Sequence, residues 1–256
     1  MTAEPRSAKP RLLRRPGLLG WRGGGGSLVW GMTTEPLTIL FDLDGTVVDS
    51  QPGILASCRA ALRALGHEPG DLDVGALIGP PLEEVLAKVL GRFGDDRVDE
   101  AVAAYRRHYG TTGLKETTVY PGLGEALDQL LALEARLFIA TSKRTVFAET
   151  ILAGLGLIDR FAGVHGSEPG GALDRKADLI GALMRRHDLS ARRCLMVGDR
   201  RQDVEGARAN GVPTVGVLWG YGDRAELESA GAAHLVARPH ELVAYAKTEA
   251  GRRGAA

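Results

Sequence analysis

The stretch Phe41-Asp42-Leu43-Asp44-Gly45-Thr46 decides the fold of this 256-residue chain. It ends an apolar, β-rich run at residues 37–42 and places two carboxylates where that strand stops. Ligands of open α/β sheets bind at this edge, and buried carboxylates there need a cation or a proton between them. Gly45 allows a sharp turn that brings backbone amides toward an anion. On these residues alone, an ordinary Asp-Gly turn is the alternative interpretation.

A second strand end repeats this pattern. Val197-Gly198-Asp199 closes another apolar run, and Asp203 follows at the start of a helical segment. Two strands that deliver carboxylates to one sheet edge make an oxygen site suited to Mg²⁺. A third run ends in Thr141 and Ser142, which offer hydroxyl and backbone donors at the same edge. A helix N-cap is the alternative role for Asp203 and for the Thr141-Ser142 pair.

Short β-rich runs alternate with amphipathic helical segments from residue 38 onward, which is typical of a parallel α/β sheet covered by helices on both faces. Strands are predicted at residues 37–42, 136–141, 161–165, 193–198, 213–218 and 234–237. Helices are predicted between them at residues 146–155, 176–187, 203–210, 223–230 and 239–248. Residues 50–118 break the alternation, with helical segments near 53–65, 82–92 and 97–109 and no strand between them. The sequence therefore predicts a small helical domain at residues 50–118, inserted into a core made of residues 36–49 and 119–248.

The composition excludes several classes of protein. Hydrophobic residues make up 44% and charged residues 25%, which is ordinary for a globular protein and excludes a wholly disordered or collagen-like chain. The formal net charge is zero, so there is no global basic excess to favour nucleic acid as a partner. No apolar run approaches the roughly 18 residues of a membrane span. Cys58 and Cys194 stand too far apart in sequence to form a metal knuckle or a disulfide framework, so a cytoplasmic location is expected.

Residues 1–31 differ from the rest of the chain. They carry six arginines and lysines against Glu4, together with three prolines and the glycine run at 23–26. Because this composition lacks any core-forming period, residues 1–35 are predicted to be a disordered basic extension. Arg14-Arg15 suggests a twin-arginine signal, but no clean apolar segment or cleavage site follows it. Met32, just before the first strand, could itself serve as the initiator.

The ordered motifs resemble those of the haloacid dehalogenase (HAD) superfamily. The resemblance rests on Asp42-Leu43-Asp44-Gly45-Thr46, Thr141, Lys176, and Asp199 with Asp203, and it covers about residues 37–240. Four further stretches are similar to the phosphoglycolate phosphatase-like branch, and most closely to members described as 5′-nucleotidases: Ile78-Gly79-Pro80-Pro81-Leu82, Val119-Tyr120-Pro121-Gly122, Ala140-Thr141-Ser142-Lys143 and Trp219-Gly220-Tyr221-Gly222. The resemblance implies a Rossmann-like core and identifies the helical insert as a cap over the site.

The same resemblance implies the catalytic and metal-binding roles. Asp42 would be the nucleophile that forms an aspartyl-phosphate, and Asp44 would be the general acid and base. The Asp42 and Asp199 side chains and the backbone carbonyl of Asp44 would hold Mg²⁺, with Asp203 as a ligand either directly or through water. An acid at position 44 favours phosphate-ester hydrolysis, since the dehalogenases lack one there and P-type pumps carry Thr.

Phosphate binding is implied for three further residues. Thr141 and the Ser142 amide would bind a phosphoryl oxygen, and Lys176 would neutralise charge on the nucleophile and the phosphoryl group. Lys176 departs from the family pattern, because Ala177 replaces the usual proline after it. The adjacent Arg175 is the alternative, and a solvated lysine at a helix start is the ordinary interpretation of this position.

The sequence thus predicts an Mg²⁺-dependent phosphatase of small phosphorylated metabolites, with no nucleic-acid or membrane partner. Nucleoside 5′-monophosphates are the first expected substrate and 2-phosphoglycolate the second. A phosphotransferase that passes the phosphoryl group to a sugar or to a protein tyrosine is one alternative. A catalytically inactive binding protein is another, although it should lack one of the key acids or Lys176. Candidate substrate contacts are the loop Gly79-Pro80-Pro81, Lys88, Arg106, Arg107, Lys143 and Arg144, whereas Arg200 and Arg201 could be plain surface charges.

Overall fold

The fold is seen in a computed structural model, which describes residues 36–72, 78–168, 171 and 173–254. The predicted extension at residues 1–35 lies outside the described residues. In the described part of the chain, no helix combines the length and the apolar character that crossing a bilayer requires.

The centre of the molecule is a six-stranded sheet in which every neighbouring pair is parallel. Its strands are β1 (Thr38–Phe41), β4 (Arg136–Arg144), β5 (Gly163–Ser167), β6 (Cys194–Gly198), β7 (Thr214–Val217) and β8 (His234–Val236). Their order across the sheet is β5-β4-β1-β6-β7-β8. All six lie at or near the predicted positions, and the predicted parallel α/β fold is confirmed.

The sheet order places three functional strand ends side by side. Strand β1 lies between β4 and β6, and all four of its residues are buried. Because the three strands are parallel, Asp42 after β1, Asp199 after β6 and Thr141 in the last part of β4 lie toward the same edge. Strand β4 runs three residues beyond its predicted end and has a register irregularity between Ala140 and Arg144. Irregularities of this kind redirect side chains next to sites.

The helices have the predicted order, with one addition. Those of the described chain are α1 (Gln51–Ala64), α2 (Leu82–Leu90), α3 (Val98–Thr111), α4 (Leu123–Ala132), α5 (Thr145–Gly154), α6 (Lys176–His187), α7 (Arg201–Arg208), α8 (Arg224–Ala230) and α9 (Pro239–Gly254). Helix α6 has the predicted bounds, and α8 starts where the Asp223 side chain accepts a hydrogen bond from the Glu226 amide at 2.7 Å. Sequence analysis assigned no helix to α4, although its buried Leu123, Leu127 and Leu130 keep helical spacing.

Helices α1, α2 and α3 bury their apolar faces in a cluster separate from those on the two sides of the sheet. The chain enters this region through β2 (Val48–Asp49) and leaves it through β3 (Thr118–Val119), and these two short strands pair antiparallel. The crossings fall where the sequence predicts that the insert begins and ends. The division into a core and a helical domain at residues 50–118 stays a prediction.

Candidate active site

Three aspartates and one lysine meet at the carboxyl edge of the sheet. The Lys176 ammonium lies 2.8 Å from Asp42 Oδ1 and 2.8 Å from Asp203 Oδ1, and it donates to the Ala140 carbonyl at 2.9 Å. Its side chain is only 5% exposed, so the solvated-lysine alternative is excluded. Lys176 can adopt this position because α6 begins there and points its first residue at the end of β1. The structure thus brings Lys176 together with Asp42 and Asp203.

Asp199 completes the cluster from the neighbouring strand. Its side chain is fully buried and accepts hydrogen bonds from the Thr46 hydroxyl at 3.0 Å and the Tyr221 amide at 2.8 Å. Gly45 has a φ of +81°, and a Cβ there would overlap the Asp199 carboxylate. Gly45 therefore serves both the turn and the close approach of the two strand ends.

Asp203 lies at the third position of helix α7, whose N-cap is Arg200, and its role as a metal ligand stays a prediction. One carboxylate oxygen accepts a hydrogen bond from the Arg200 amide at 3.1 Å, which caps helix α7, and the other pairs with Lys176. Within the described residues, Asp42, Asp199 and Asp203 are the group of acidic side chains close enough together to share a metal ion.

The electrostatics of this cluster favour a bound cation. Burial, followed by the charges of Asp203 and Asp42, raises the pKa of Asp199 to about 8. Burial also raises the pKa of Asp203 to about 6, although Lys176 opposes the shift. Burial alone would lower the pKa of the Lys176 ammonium, but Asp203 and Asp42 outweigh it and raise that pKa. One lysine faces three buried carboxylates, so the all-oxygen donor set has negative charge left over and fits Mg²⁺.

Asp44 lies beside the cluster and faces the helical insert. Its carboxylate accepts a hydrogen bond from the Ser50 hydroxyl and forms an ion pair with Lys143 at 2.9 Å. Lys143 also donates to the Tyr109 hydroxyl on α3 at 2.7 Å. Burial opposes the charge of Lys143, but Asp44 and Tyr109 outweigh it and raise the pKa of the ammonium. Lys143 therefore joins the candidate acid–base residue Asp44 to the helical insert.

A cavity of about 470 Å³ opens between these residues and the insert. Asp42, Asp44, Thr141 and Ser142 line its floor. The apolar and aromatic part of its walls includes Ile54, Cys58, Ile78, Leu82, Val85, Tyr105, Tyr109 and Phe147. Charged groups also line it, namely Glu83, Arg106, Lys143, Arg144, Glu168 and Asp174. Lys176 and Asp199 lie behind this floor, in contact with Asp42 and with the turn at Gly45 respectively.

The predicted substrate contacts separate into two groups. The loop Gly79-Pro80-Pro81, Arg106, Lys143 and Arg144 line the cavity. Lys88 lines a second depression instead. Arg107 is exposed and is not among the described residues that line the cavity. Lone basic residues on amphipathic helices give no sequence signal that separates these two outcomes.

Arg200 is a buried residue, although the sequence left open that it could be a plain surface charge. It is 8% exposed, pairs with Glu226 at 2.9 Å, and donates to the Ile78 carbonyl in the loop that walls the cavity. Arg201 next to it is exposed. Two adjacent arginines at a helix start give no sequence signal that tells which of them is buried.

We expect Arg200→Met to lower the free energy of unfolding by about 1–3 kcal/mol, because a buried carbonyl and Glu226 lose their donor. Arg201→Met, at the exposed neighbour, should stay within about 0.5 kcal/mol of the parent. Urea denaturation of both variants measures the difference. Equal effects would contradict the assigned contacts of Arg200.

The geometry can be compared with known proteins. The sequence model of haloacid dehalogenase-like hydrolases matches residues 39–217. The chain belongs to this family. This HAD hydrolase is similar to a 5′-nucleotidase of Pseudomonas aeruginosa, with 40% identity over 200 residues, 78% of this chain and 90% of the relative. It is also similar to a phosphoglycolate phosphatase of Rhodospirillum rubrum, with 34% identity over 197 residues, 73% of this chain and 81% of the relative.

A third relative is named as a kinase and not as a phosphatase. The tyrosine-protein kinase PtkA of Mycobacterium tuberculosis is 37% identical over 190 residues, 73% of this chain and 64% of that protein. Among solved structures, a haloacid dehalogenase-like hydrolase from Streptococcus pneumoniae superimposes with a TM-score of 0.75 at 32% identity, covering 82% of this chain and 98% of the other. The predicted family is confirmed, and the phosphatase names agree with the predicted enzyme class, a phosphoric monoester hydrolase.

Proposed function

We propose that this HAD hydrolase is an Mg²⁺-dependent phosphatase of small phosphate monoesters, acting through an aspartyl-phosphate on Asp42. The observation that carries the proposal is the position of Asp42, whose carboxylate lies in the cavity floor and contacts Lys176 from behind. A phosphoryl group that enters the cavity would meet this carboxylate first. Thr141 and Ser142, beside it on β4, are proposed to bind the phosphoryl oxygens.

Two carboxylates with different surroundings, those of Asp42 and Asp44, would carry out the reaction. An Asp42 oxygen would bond to phosphorus as the bond from phosphorus to the leaving oxygen breaks, and Asp44 would give that oxygen a proton. Water would then attack the phosphorus of the aspartyl-phosphate while Asp44 takes a proton from it. The bond from phosphorus to the Asp42 oxygen would break, which releases phosphate and restores the Asp42 carboxylate. Asp44 is suited to this exchange because it borders the open cavity, whereas Asp199 and Asp203 are sealed behind it.

The metal site is proposed at the acidic cluster. Asp42, Asp199 and Asp203, with the Asp44 carbonyl, would hold Mg²⁺. When bound, the ion supplies positive charge that offsets the repulsion between an anionic nucleophile and a phosphate dianion. Lys176, which pairs with Asp42, would help to neutralise this nucleophile and the phosphoryl group.

The cavity supports a substrate with a bulky, partly apolar leaving group. A volume of about 470 Å³ with aromatic walls far exceeds what the two carbons of 2-phosphoglycolate would fill. A nucleoside 5′-monophosphate offers a phosphate for the floor and a planar base for Tyr105, Tyr109 and Phe147. We therefore propose nucleoside 5′-monophosphates first and 2-phosphoglycolate second, with residues 50–118 acting as the cap that selects between them.

A second candidate function is phosphoryl transfer to a protein tyrosine. It is favoured by the similarity to the relative named tyrosine-protein kinase PtkA. Both functions share the covalent step on Asp42 and differ only in the acceptor that the cap admits.

The test is a panel of phosphomonoesters, with and without Mg²⁺, on the parent and on Asp44→Asn. We expect phosphate release from nucleoside 5′-monophosphates that requires Mg²⁺. Asp44→Asn should bind phosphate but lose about 10²–10⁴-fold in turnover, because it cannot move a proton. If no ester releases phosphate and a labelled phosphoryl group appears on a protein tyrosine, the second candidate is supported. Near-normal turnover by Asp44→Asn would remove the acid–base role.

A further inference from the structure

Tyr221 connects the metal cluster to the start of the first cap helix. It belongs to the turn Trp219-Gly220-Tyr221-Gly222, which packs against Asp199. A Cβ at Gly220 would overlap both Asp199 and the Gly45 carbonyl, so only a glycine there lets the turn lie this close to the cluster. The Tyr221 amide donates to Asp199 at 2.8 Å. The backbone of Tyr221 is thereby fixed to the core.

The side chain of Tyr221 reaches the chain crossing into the insert. Its hydroxyl oxygen accepts hydrogen bonds from the Ser50 amide at 2.9 Å and the Gln51 amide at 3.1 Å. The same hydroxyl donates to Asp49 Oδ1 at 3.1 Å. Burial raises the pKa of Tyr221, so the phenol keeps the proton that this donation requires. One phenol group thus holds three consecutive residues at the entrance to the insert.

The Tyr221 phenol binds amides at the start of helix α1 that a serine N-cap does not reach. An N-cap side chain accepts from the amide of the second or third helical residue, and within the described residues Ser50, the N-cap of α1, makes no such bond. Its hydroxyl donates to the Asp44 carboxylate instead. The Tyr221 phenol accepts from the Ser50 amide and from the first helical amide, that of Gln51, which also donates to Asp49 Oδ1 at 3.1 Å.

We propose that Tyr221 is a positioning residue for Asp44. By fixing the Ser50 and Gln51 amides, it orients the Ser50 hydroxyl, which in turn holds the acid–base carboxylate. Because the bonds to the phenol and the bond from Ser50 to Asp44 all lie at the entrance to the insert, Tyr221 positions both helix α1 and Asp44. The proposal rests on the proposed phosphatase function, since it assigns the acid–base step to Asp44.

The test is Tyr221→Phe, which removes one oxygen and keeps the ring and the amide. With p-nitrophenyl phosphate as substrate, we expect kcat to fall about tenfold while KM changes less than twofold. The Mg²⁺ concentration for half-maximal activity should not change, because the bond from the Tyr221 amide to Asp199 remains. Amide hydrogen exchange at Ser50 and Gln51 should become faster. The same change at Tyr245 on α9, whose ring stacks on His234 of β8, is the control for losing a phenol oxygen elsewhere.

A double-mutant cycle separates positioning from general destabilisation. In an Asp44→Asn background, Tyr221→Phe should lower the residual kcat less than twofold, because the residue that it positions no longer acts. An equal loss in both backgrounds, an effect on KM alone, or unchanged exchange at Ser50 and Gln51 would overturn the proposal. If the parent protein releases phosphate from no ester, the proposed function fails instead, and the exchange measurement still tests the contact.

Discussion

Asp42→Asn is expected to abolish phosphate release while leaving the fold intact. The amide cannot form the proposed bond to phosphorus, so turnover should fall on the order of 10³-fold or more. The metal-free fold should not lose stability, because Asp42 adds negative charge next to Asp199 and Asp203 and raises the pKa of both. Lys176 keeps its ion pair with Asp203 and its bond to the Ala140 carbonyl. Steady-state assays and thermal unfolding of the same preparation measure both effects.

Asp178→Asn is the matched control, since it makes the same chemical change at an exposed position in the first turn of α6. It should retain turnover within twofold of the parent. Turnover by Asp42→Asn comparable to that of the control would exclude the nucleophilic role. A large loss of stability in Asp42→Asn would show that the carboxylate serves mainly to hold Lys176.

The fold could be predicted because strong local signals agreed with one another. Apolar runs ended in Asp42 and Asp199, and parallel strands bring such ends to one edge whatever their separation in sequence. Helix α6 was predicted to the residue, since its apolar spacing begins and ends clearly. Helix α4 was not, because the turn signal at residues 120–122 and Gly124 concealed an ordinary helical spacing.

The contacts between the core and the insert could not be predicted. They join residues such as Tyr221 with Ser50 and Arg200 with Ile78, which are far apart in sequence and belong to no shared period. Lys143 was predicted only as a substrate contact, and its ion pair with Asp44 depends on how β4 continues past its predicted end. Such contacts follow from the packing of two elements, which a single sequence does not specify.

Mg²⁺ is expected to stabilise the protein far more at pH 8 than at pH 5.5. In the metal-free fold the pKa of Asp199 is about 8 and that of Asp203 about 6, both above the value for an unfolded aspartate. Their contribution to stability is therefore complete below about pH 4 and is lost as the pH rises through 6 and 8. Mg²⁺ compensates the ionised carboxylates, but at pH 5.5 it must first displace their protons. At a hundredfold excess over its dissociation constant, the ion should add about 2.7 kcal/mol, or roughly 5–10 °C in Tm.

The difference between unfolding curves with and without Mg²⁺ is the quantity to measure, because other groups titrate in the same range. His165 is one of them: burial, and then the charge of His187, lower its pKa to about 4, so its contribution is lost as the pH falls below about 6.5. That effect opposes the one from the aspartates and cancels when the two curves are subtracted. Asp199→Asn should flatten the pH dependence and remove most of the gain from Mg²⁺, since it takes away a ligand and the most strongly shifted carboxyl. An equal gain from Mg²⁺ at both pH values, or in Asp199→Asn, would place the ion away from the acidic cluster and leave Asp42 without the charge compensation that its attack requires.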